Sequence, residues 1–315
     1  MNFIIMHFSS WFKKLFILLL IIILFSCDED NSITPPENGT PEFHVTAYGD
    51  SGSFEIATWN IENFPKASST TIKNLANIIT DLDVDIIAVE EITNTGSFNS
   101  LLTDLSGWDG VLSSDVYNDG SYQKTGILYK TDIVSVSNVR NIFTNDSYAF
   151  PRPPLTAFIE IKDTTGIKYD FNIIVLHLKA YGDSLSVNRR REACLQLNDY
   201  IELQIAAGDD ADFIVLGDWN DQLSDPDSVN VFMPFLADSN GYTFLTEGIS
   251  DKYSYISDYY NSLIDHILIT GDSRQEFSSG NLDILYLDSE FSDYESTISD
   301  HRPVVAKFKG FELHY

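Results

Sequence analysis

Short, almost wholly apolar runs that each end in a polar cluster constrain this chain more than any other feature. Apolar runs of this length, rich in Ile and Val, are those of strands buried on both faces. They end in Trp59-Asn60-Ile61-Glu62, Val89-Glu90-Glu91-Ile92, Leu176-His177-Leu178-Lys179 and Gly217-Asp218-Trp219-Asn220-Asp221. Two further clusters, Ile264-Asp265-His266-Ile267 and Ser299-Asp300-His301-Arg302-Pro303, flank or interrupt similar runs. Strands that finish this way put carboxylates, amides and imidazoles on one rim. A hard divalent cation and a phosphodiester require that donor set.

The pattern places strands over 54–61, 84–89, 125–130, 155–161, 168–178, 212–216, 263–270 and 303–308. Ile72, Leu75, Ala76, Ile79 and Leu82 recur at helical spacing, so a helix follows the first strand. A second helix is expected over 189–206, with Ala193, Leu197, Tyr200, Ile201 and Ile205 on one face. Strands alternate with helices in places and follow one another directly elsewhere. That predicts an α/β fold of packed mixed sheets covered by helices, rather than a purely parallel sheet. No internal repeat and no linker after residue 53 is visible, so residues 53–310 are read as one catalytic domain.

The first 26 residues read as an export signal. Lys13-Lys14 precedes an apolar run over 15–25, then Ser26-Cys27. The run is too short to span a bilayer, which needs about 20 residues. Leu24-Phe25-Ser26-Cys27 resembles the lipobox of bacterial lipoproteins, which implies lipidation at Cys27. Asp28-Glu29-Asp30 resembles the surface-export signal of Bacteroidetes lipoproteins. Residues 27–52 are then the lipidated Cys and a flexible acidic tether. The expectation is a membrane association through the lipid, at the outer membrane or cell surface, with a monomeric domain. Cys194 is left without an intrachain partner and is read as a buried thiol.

Net charge is −28, and loss of the two N-terminal lysines leaves 17 basic against 47 acidic residues, or −30. A whole-molecule basic footprint for nucleic acid is therefore missing. Screening confines exposed charges to about 8 Å at physiological salt, so a cation and a few local Arg or Lys residues can still decide what enters a cleft.

Each cluster also has a plainer reading. Asn60 is a turn residue or a donor to metal or phosphate, and Trp59 is core. Glu91 closes a buried strand, where a carboxylate is costly unless paired or metal-bound. Alternation sends Glu90 and Glu91 to opposite faces, so one can enter a site and the other cannot. His177 is a structural strand-end histidine or a phosphate contact. Asp218 and Asn220 share a face if the strand persists and form a turn if it does not. His301 is expected to pair with a distant carboxylate rather than with Asp300. Arg152 is a loop residue or a phosphate fork. Arg189-Arg190-Arg191 is read as salt-bridged surface, with a cleft-side phosphate attractor as the alternative.

In order and spacing these clusters resemble the endonuclease/exonuclease/phosphatase superfamily, which includes deoxyribonuclease I, over roughly residues 53–309. The resemblance implies a four-layered α/β sandwich of two packed mixed sheets flanked by helices. It implies that Asn60, Glu91 and Asp300 bind Mg²⁺, with Mn²⁺ or Ca²⁺ as alternatives. Asp218 and Asn220 would position and activate water, and His301, oriented by Asp265, would act as general acid/base. His177, Arg152 and Asn60 would contact the phosphate. Many members have Gln where this chain has Glu90.

The function expected is Mg²⁺-dependent phosphodiester hydrolysis by a surface nuclease, with nucleic acid as partner. Alternatives are phospholipid head groups or inositol and sugar phosphates, and a non-catalytic ligand-binding lipoprotein. A calcineurin-like metallophosphatase is disfavoured, because no Gly-Asn-His-Asp/Glu motif follows Gly217-Asp218.

Overall fold

The computed structural model describes residues 43–257, 259–278 and 280–309. The expected signal segment, Cys27 and most of the tether lie outside the described residues. Among the described residues no helix is long and apolar enough to cross a membrane.

The chain runs β1 (Ser53–Phe64), α1 (Ser69–Leu82), β2 (Ile86–Ile92), α2 (Thr95–Asp104), β3 (Trp108–Leu112), β4 (Lys124–Lys130), β5 (Val134–Asn141), β6 (Leu155–Asp163), β7 (Gly166–His177), α3 (Ser184–Ala207), β8 (Phe213–Asp218), β9 (Tyr242–Phe244), β10 (Asp265–Thr270), β11 (Asn281–Ile284) and β12 (Val304–Lys309), with short helical turns between. Two six-stranded sheets form, in the orders β11-β12-β1-β2-β4-β3 and β5-β6-β7-β8-β10-β9. Each holds one parallel pair at its centre, β1 with β2 and β7 with β8. A helical crossover joins each pair, as parallel neighbours require. The remaining pairings are antiparallel.

Three apolar clusters define four layers. Phe54, Ile56, Ile86 and Ala88 of one sheet meet Ile159, Ile173, Val175 and Ile214 of the other between the sheets. Ala57, Trp59, Ile87 and Val89 take the alternate positions and pack under α1 and α2. Ile174, Leu176 and Val215 pack under α3 through Ala193, Cys194, Leu197 and Ile201. Each large side chain buried this way is worth about 1.5–3 kcal/mol, which fixes the registers of the central strands.

Every expected strand is present. The strands that the pattern missed, β3, β5, β9 and β11, are the four sheet edges. Helix α3 begins at Ser184 rather than at 189, because Asp183 caps it by accepting the N–H groups of Leu185 and Ser186.

Candidate active site

The ends of the two parallel pairs face each other across the sandwich, and the polar clusters meet there. Asp218, the last residue of β8, is the hub. Its Oδ2 accepts from Asn60 Nδ2 at 3.1 Å. His177 Nε2 lies 3.5 Å from the same oxygen and His301 Nε2 3.9 Å. Its Oδ1 accepts the backbone N–H of Asn220 at 2.9 Å.

Local backbone explains the arrangement. In the β7–β8 register His177 sits beside Asp218 and Leu176 beside Gly217. Gly217 has φ +145, and a Cβ there would stand 1.9 Å from the Leu176 carbonyl oxygen. A side chain at 217 would push the two strands apart. The strand then ends, since Asn220 has φ +57 in a turn closed by Asp218. Of the two readings of Asp218 and Asn220, a shared strand face and a turn, the turn holds, and Asn220 Nδ2 donates to the Leu178 carbonyl at 3.3 Å.

The second sheet contributes a bulge. Glu91 has φ +64, and the β2–β4 register shifts between Val89 and Ile92. A left-handed residue breaks alternation, so the expected separation of Glu90 and Glu91 fails. Glu90 lies fully buried on the inter-sheet face, where its Oε1 accepts from Thr58 Oγ1 at 3.1 Å. Glu91 turns back to the rim, 3.9 Å from His177 Nε2, with Oε1 accepting from Asn60 Nδ2 at 3.4 Å and Oε2 from the Asn63 N–H at 3.0 Å.

His301 pairs with the distant Asp265, whose Oδ2 lies 2.8 Å from His301 Nδ1, and lies 3.9 Å from Asp300. Asp265 stands directly opposite Asp218 across the β8–β10 ladder. Its neighbour His266 points the other way, to Thr246 and the Asp221 carbonyl, and is structural. Arg152 Nη1 donates to the carbonyls of His177 at 3.4 Å and Leu178 at 3.3 Å.

Several supporting groups had no role assigned from the sequence, although Glu62 and Ser299 stand in its polar clusters. Ser254 Oγ donates to Asp265 Oδ2 at 2.6 Å. Ser299 Oγ donates to the Asn60 carbonyl and accepts the His301 N–H. Tyr294 OH donates to the His301 carbonyl at 2.5 Å. Glu62 accepts the Asp300 N–H at 3.0 Å and pairs with Lys66. Ser254 lies in an irregular segment and Tyr294 opens a four-residue helix, too short for a periodicity to betray it.

The electrostatics follow from burial. Burial, then the Asp265 charge, pushes the Asp218 carboxyl up to about 7. Burial raises Asp300 to about 6, with Glu62 adding to the rise against His301. Burial alone would depress His301, but the Asp265 carboxylate overrides it and holds the ring up to about 10. His177 is pushed well down by burial and then by Arg152, so it is neutral at pH 7.

Ligand atoms of Asp218, Asp265 and His301 lie within 4.8 Å of one another. Glu91, Asp218 and Asp300 have no Lys or Arg ion-pair partner among the described residues. Three carboxylates that share no Lys or Arg, with the His301 imidazolium as their one cation among the described residues, fit a hard divalent metal.

Residues 57–301 match the model of the "Endonuclease/Exonuclease/phosphatase family". No curated protein sequence matches the chain. Among solved structures, a mannosyl-6-phosphatase from Bacteroides thetaiotaomicron is 17% identical, with 81% of this chain and 98% of that one covered at TM-score 0.58. D. rerio TDP2, complexed with a single-strand DNA product, is 14% identical over 82% and 99% at TM-score 0.59. A Neisseria 3′ phosphatase bound to a product DNA hairpin is 15% identical over 81% and 99% at TM-score 0.58. With the family model covering residues 57–301, from within β1 to His301, the chain belongs to the endonuclease/exonuclease/phosphatase family, whose members hydrolyse phosphoester bonds.

Proposed function

We propose that this chain is a divalent-metal-dependent phosphodiesterase that cuts nucleic acid. The observation that carries it is the meeting of Asn60, His177 and His301 around one oxygen of Asp218. Glu91, Asp300 and Asn60 would hold Mg²⁺, with Mn²⁺ or Ca²⁺ as alternatives. A bound cation would neutralise phosphate charge and acidify a coordinated water.

The chain's own groups do the rest. Asp218, fixed by Asn220 through its backbone N–H, takes the proton of the attacking water. His301, held as imidazolium by Asp265, stabilises charge at the phosphorus and returns a proton to the departing oxygen. Neutral His177 and the cation Arg152 contact the phosphate oxygens. Positioned proton transfer of this kind is typically worth ~10²–10⁴-fold. The export signal and Cys27 would tether the domain to the outer membrane or cell surface, where extracellular nucleic acid is met. Labelling by a radioactive fatty acid that disappears in Cys27→Ser would support the tether, and unchanged labelling would remove it.

The net charge of −28 favours a second reading, hydrolysis of small phosphoesters such as sugar or inositol phosphates. Purified protein should be offered plasmid DNA, RNA, sphingomyelin and sugar and inositol phosphates, with Mg²⁺ or EDTA and with Asp218→Ala. The proposal expects Mg²⁺-dependent cleavage of nucleic acid that the variant lacks. Equal inactivity of wild type and variant on every substrate, or cleavage undiminished in EDTA, would refute it.

A further inference from the structure

Beyond His177 the site rim changes sign. Arg152 braces the His177 and Leu178 carbonyls. Lys179, two residues and at most ~7 Å of backbone past His177, holds Nζ 4.4 Å over the ring of Tyr181. Tyr181 is 74% exposed. Arg189, in the second turn of α3, is tied by Nε and Nη2 to the carbonyls of Tyr148 and Ser147, at 2.5 and 2.8 Å. Its guanidinium carbon lies 5.5 Å over the Tyr148 ring.

The Arg189-Arg190-Arg191 run therefore splits. Arg190 turns inward to Asp221 at 2.8 Å and is salt-bridged structure. Arg191 binds the Asn188 side chain and the Val229 carbonyl. Arg189 instead joins Lys179 and Arg152, and none of the three has a carboxylate ion-pair partner among the described residues. Arg190, the neighbour of Arg189 on α3, donates Nη1 to the Lys179 carbonyl at 2.7 Å, and partial burial and then Arg189 and Arg152 depress the Lys179 ammonium against Asp183. Asp183, the nearest acid on the same segment, already caps α3.

Asp183 and Asp146 lie near Lys179 and Arg189 without forming an ion pair with them, so grouped cations in a chain with 47 acidic residues still repel one another until an anion arrives. Beside them stands an exposed aromatic ring. A cationic track with such rings is the chemistry that binds an unpaired strand.

We propose that Lys179, Arg189 and Tyr181 form a subsite for the nucleotide next to the scissile phosphate. The two cations take its phosphate and the Tyr181 ring stacks its base. This rests on the phosphodiesterase reading and sharpens it, since a base free to stack belongs to a single strand. The acidic surface then repels polyanions everywhere except along this track.

The test uses the full chain in detergent with three substrates. They are a labelled single-stranded oligonucleotide, its duplex, and bis(p-nitrophenyl) phosphate, which has one phosphate and no base. Lys179→Ala/Arg189→Ala should lower kcat/KM on the single strand about 10- to 100-fold. Tyr181→Ala should lower it about 10-fold. Both should leave bis(p-nitrophenyl) phosphate unchanged, and wild type should prefer the single strand to the duplex. Equal losses on the oligonucleotide and the small diester, or no loss on either, overturn the subsite. If wild type cuts neither diester, the phosphodiesterase reading fails by itself. Oligonucleotide binding in EDTA, followed by anisotropy against salt, then still decides the subsite. Removal of the two cations should flatten the log–log salt slope by about 1.4, and an unchanged slope overturns the proposal.

Discussion

Asp265→Asn is the perturbation whose size can be worked from the structure. Asp265 is fully buried, and its Oδ2 accepts from Ser254 at 2.6 Å and lies 2.8 Å from His301 Nδ1. The ring stands at about 10 against an ordinary 6.5. Each unit corresponds to about 1.36 kcal/mol, so the surroundings favour the imidazolium by roughly 5 kcal/mol. Asp265 is the leading source of that preference. Without its charge the ring loses the largest of the carboxylate contributions that oppose burial, leaving only Asp218 and Asp300 to hold its proton. Asparagine keeps the size and leaves an acceptor for Ser254, so the fold should persist. The expected result is a fall in kcat/KM of ~10²–10⁴-fold with little change in Tm. NMR of the His301 ring should show imidazolium at pH 7 in wild type and a proton lost at lower pH in the variant. Activity within threefold of wild type, or a ring titration that the substitution does not shift, would refute the reasoning.

Three more outcomes follow from particular residues. Gly217→Ala should cost about 3 kcal/mol, because its φ of +145 and the Leu176 oxygen at 1.9 Å leave no place for a Cβ. Thermal unfolding should drop by roughly 6–12 °C, and a drop under about 2 °C would contradict the close approach of β7 and β8. Glu55 is buried on β1, with Oε2 lacking a partner, and burial and then Asp85 push it up to about 8 from 4.5. A carboxyl raised in the fold adds stability below its unfolded value that is lost as pH rises to the folded one. Glu55→Gln should therefore lose less Tm than wild type between pH 5 and 8, and parallel pH profiles would sink the assignment. Cys194 is free, fully buried and raised by burial, so the native protein should leave it unlabelled by a thiol reagent that reacts in denaturant. Labelling at native rates equal to the denatured ones would show the helix α3 face to be open.

What was legible in the sequence divides along physical lines. Every interior strand announced itself, because burial on both faces demands runs such as Phe213-Ile214-Val215-Leu216. Edge strands pair on one side and stay half wet. Val134–Asn141 thus carries Ser, Asn and Arg and resembles a loop. The polar clusters pointed to one rim because strand ends converge by topology. Side-chain direction was less legible. Alternation misplaced Glu91, since a single left-handed residue reverses it, and no spacing rule foretells φ +64. The Asn220 turn is local, closed by Asp218, and was one of two readings, whereas the split of the Arg run depends on a tertiary partner, Asp221, far from it in sequence. Ser254 reaches Asp265 from an irregular segment, and a lone serine there carries no signal.

The most direct test of the account is a crystal structure with Mn²⁺ and phosphate, with the metal located by its anomalous signal. The account predicts manganese bound by Glu91, Asp300 and Asn60, within about 2.2 Å of their oxygens. Phosphate would bridge from that ion to His177, with Asp218 and His301 on its far side. A cation coordinated elsewhere, or phosphate bound away from His177, would contradict it.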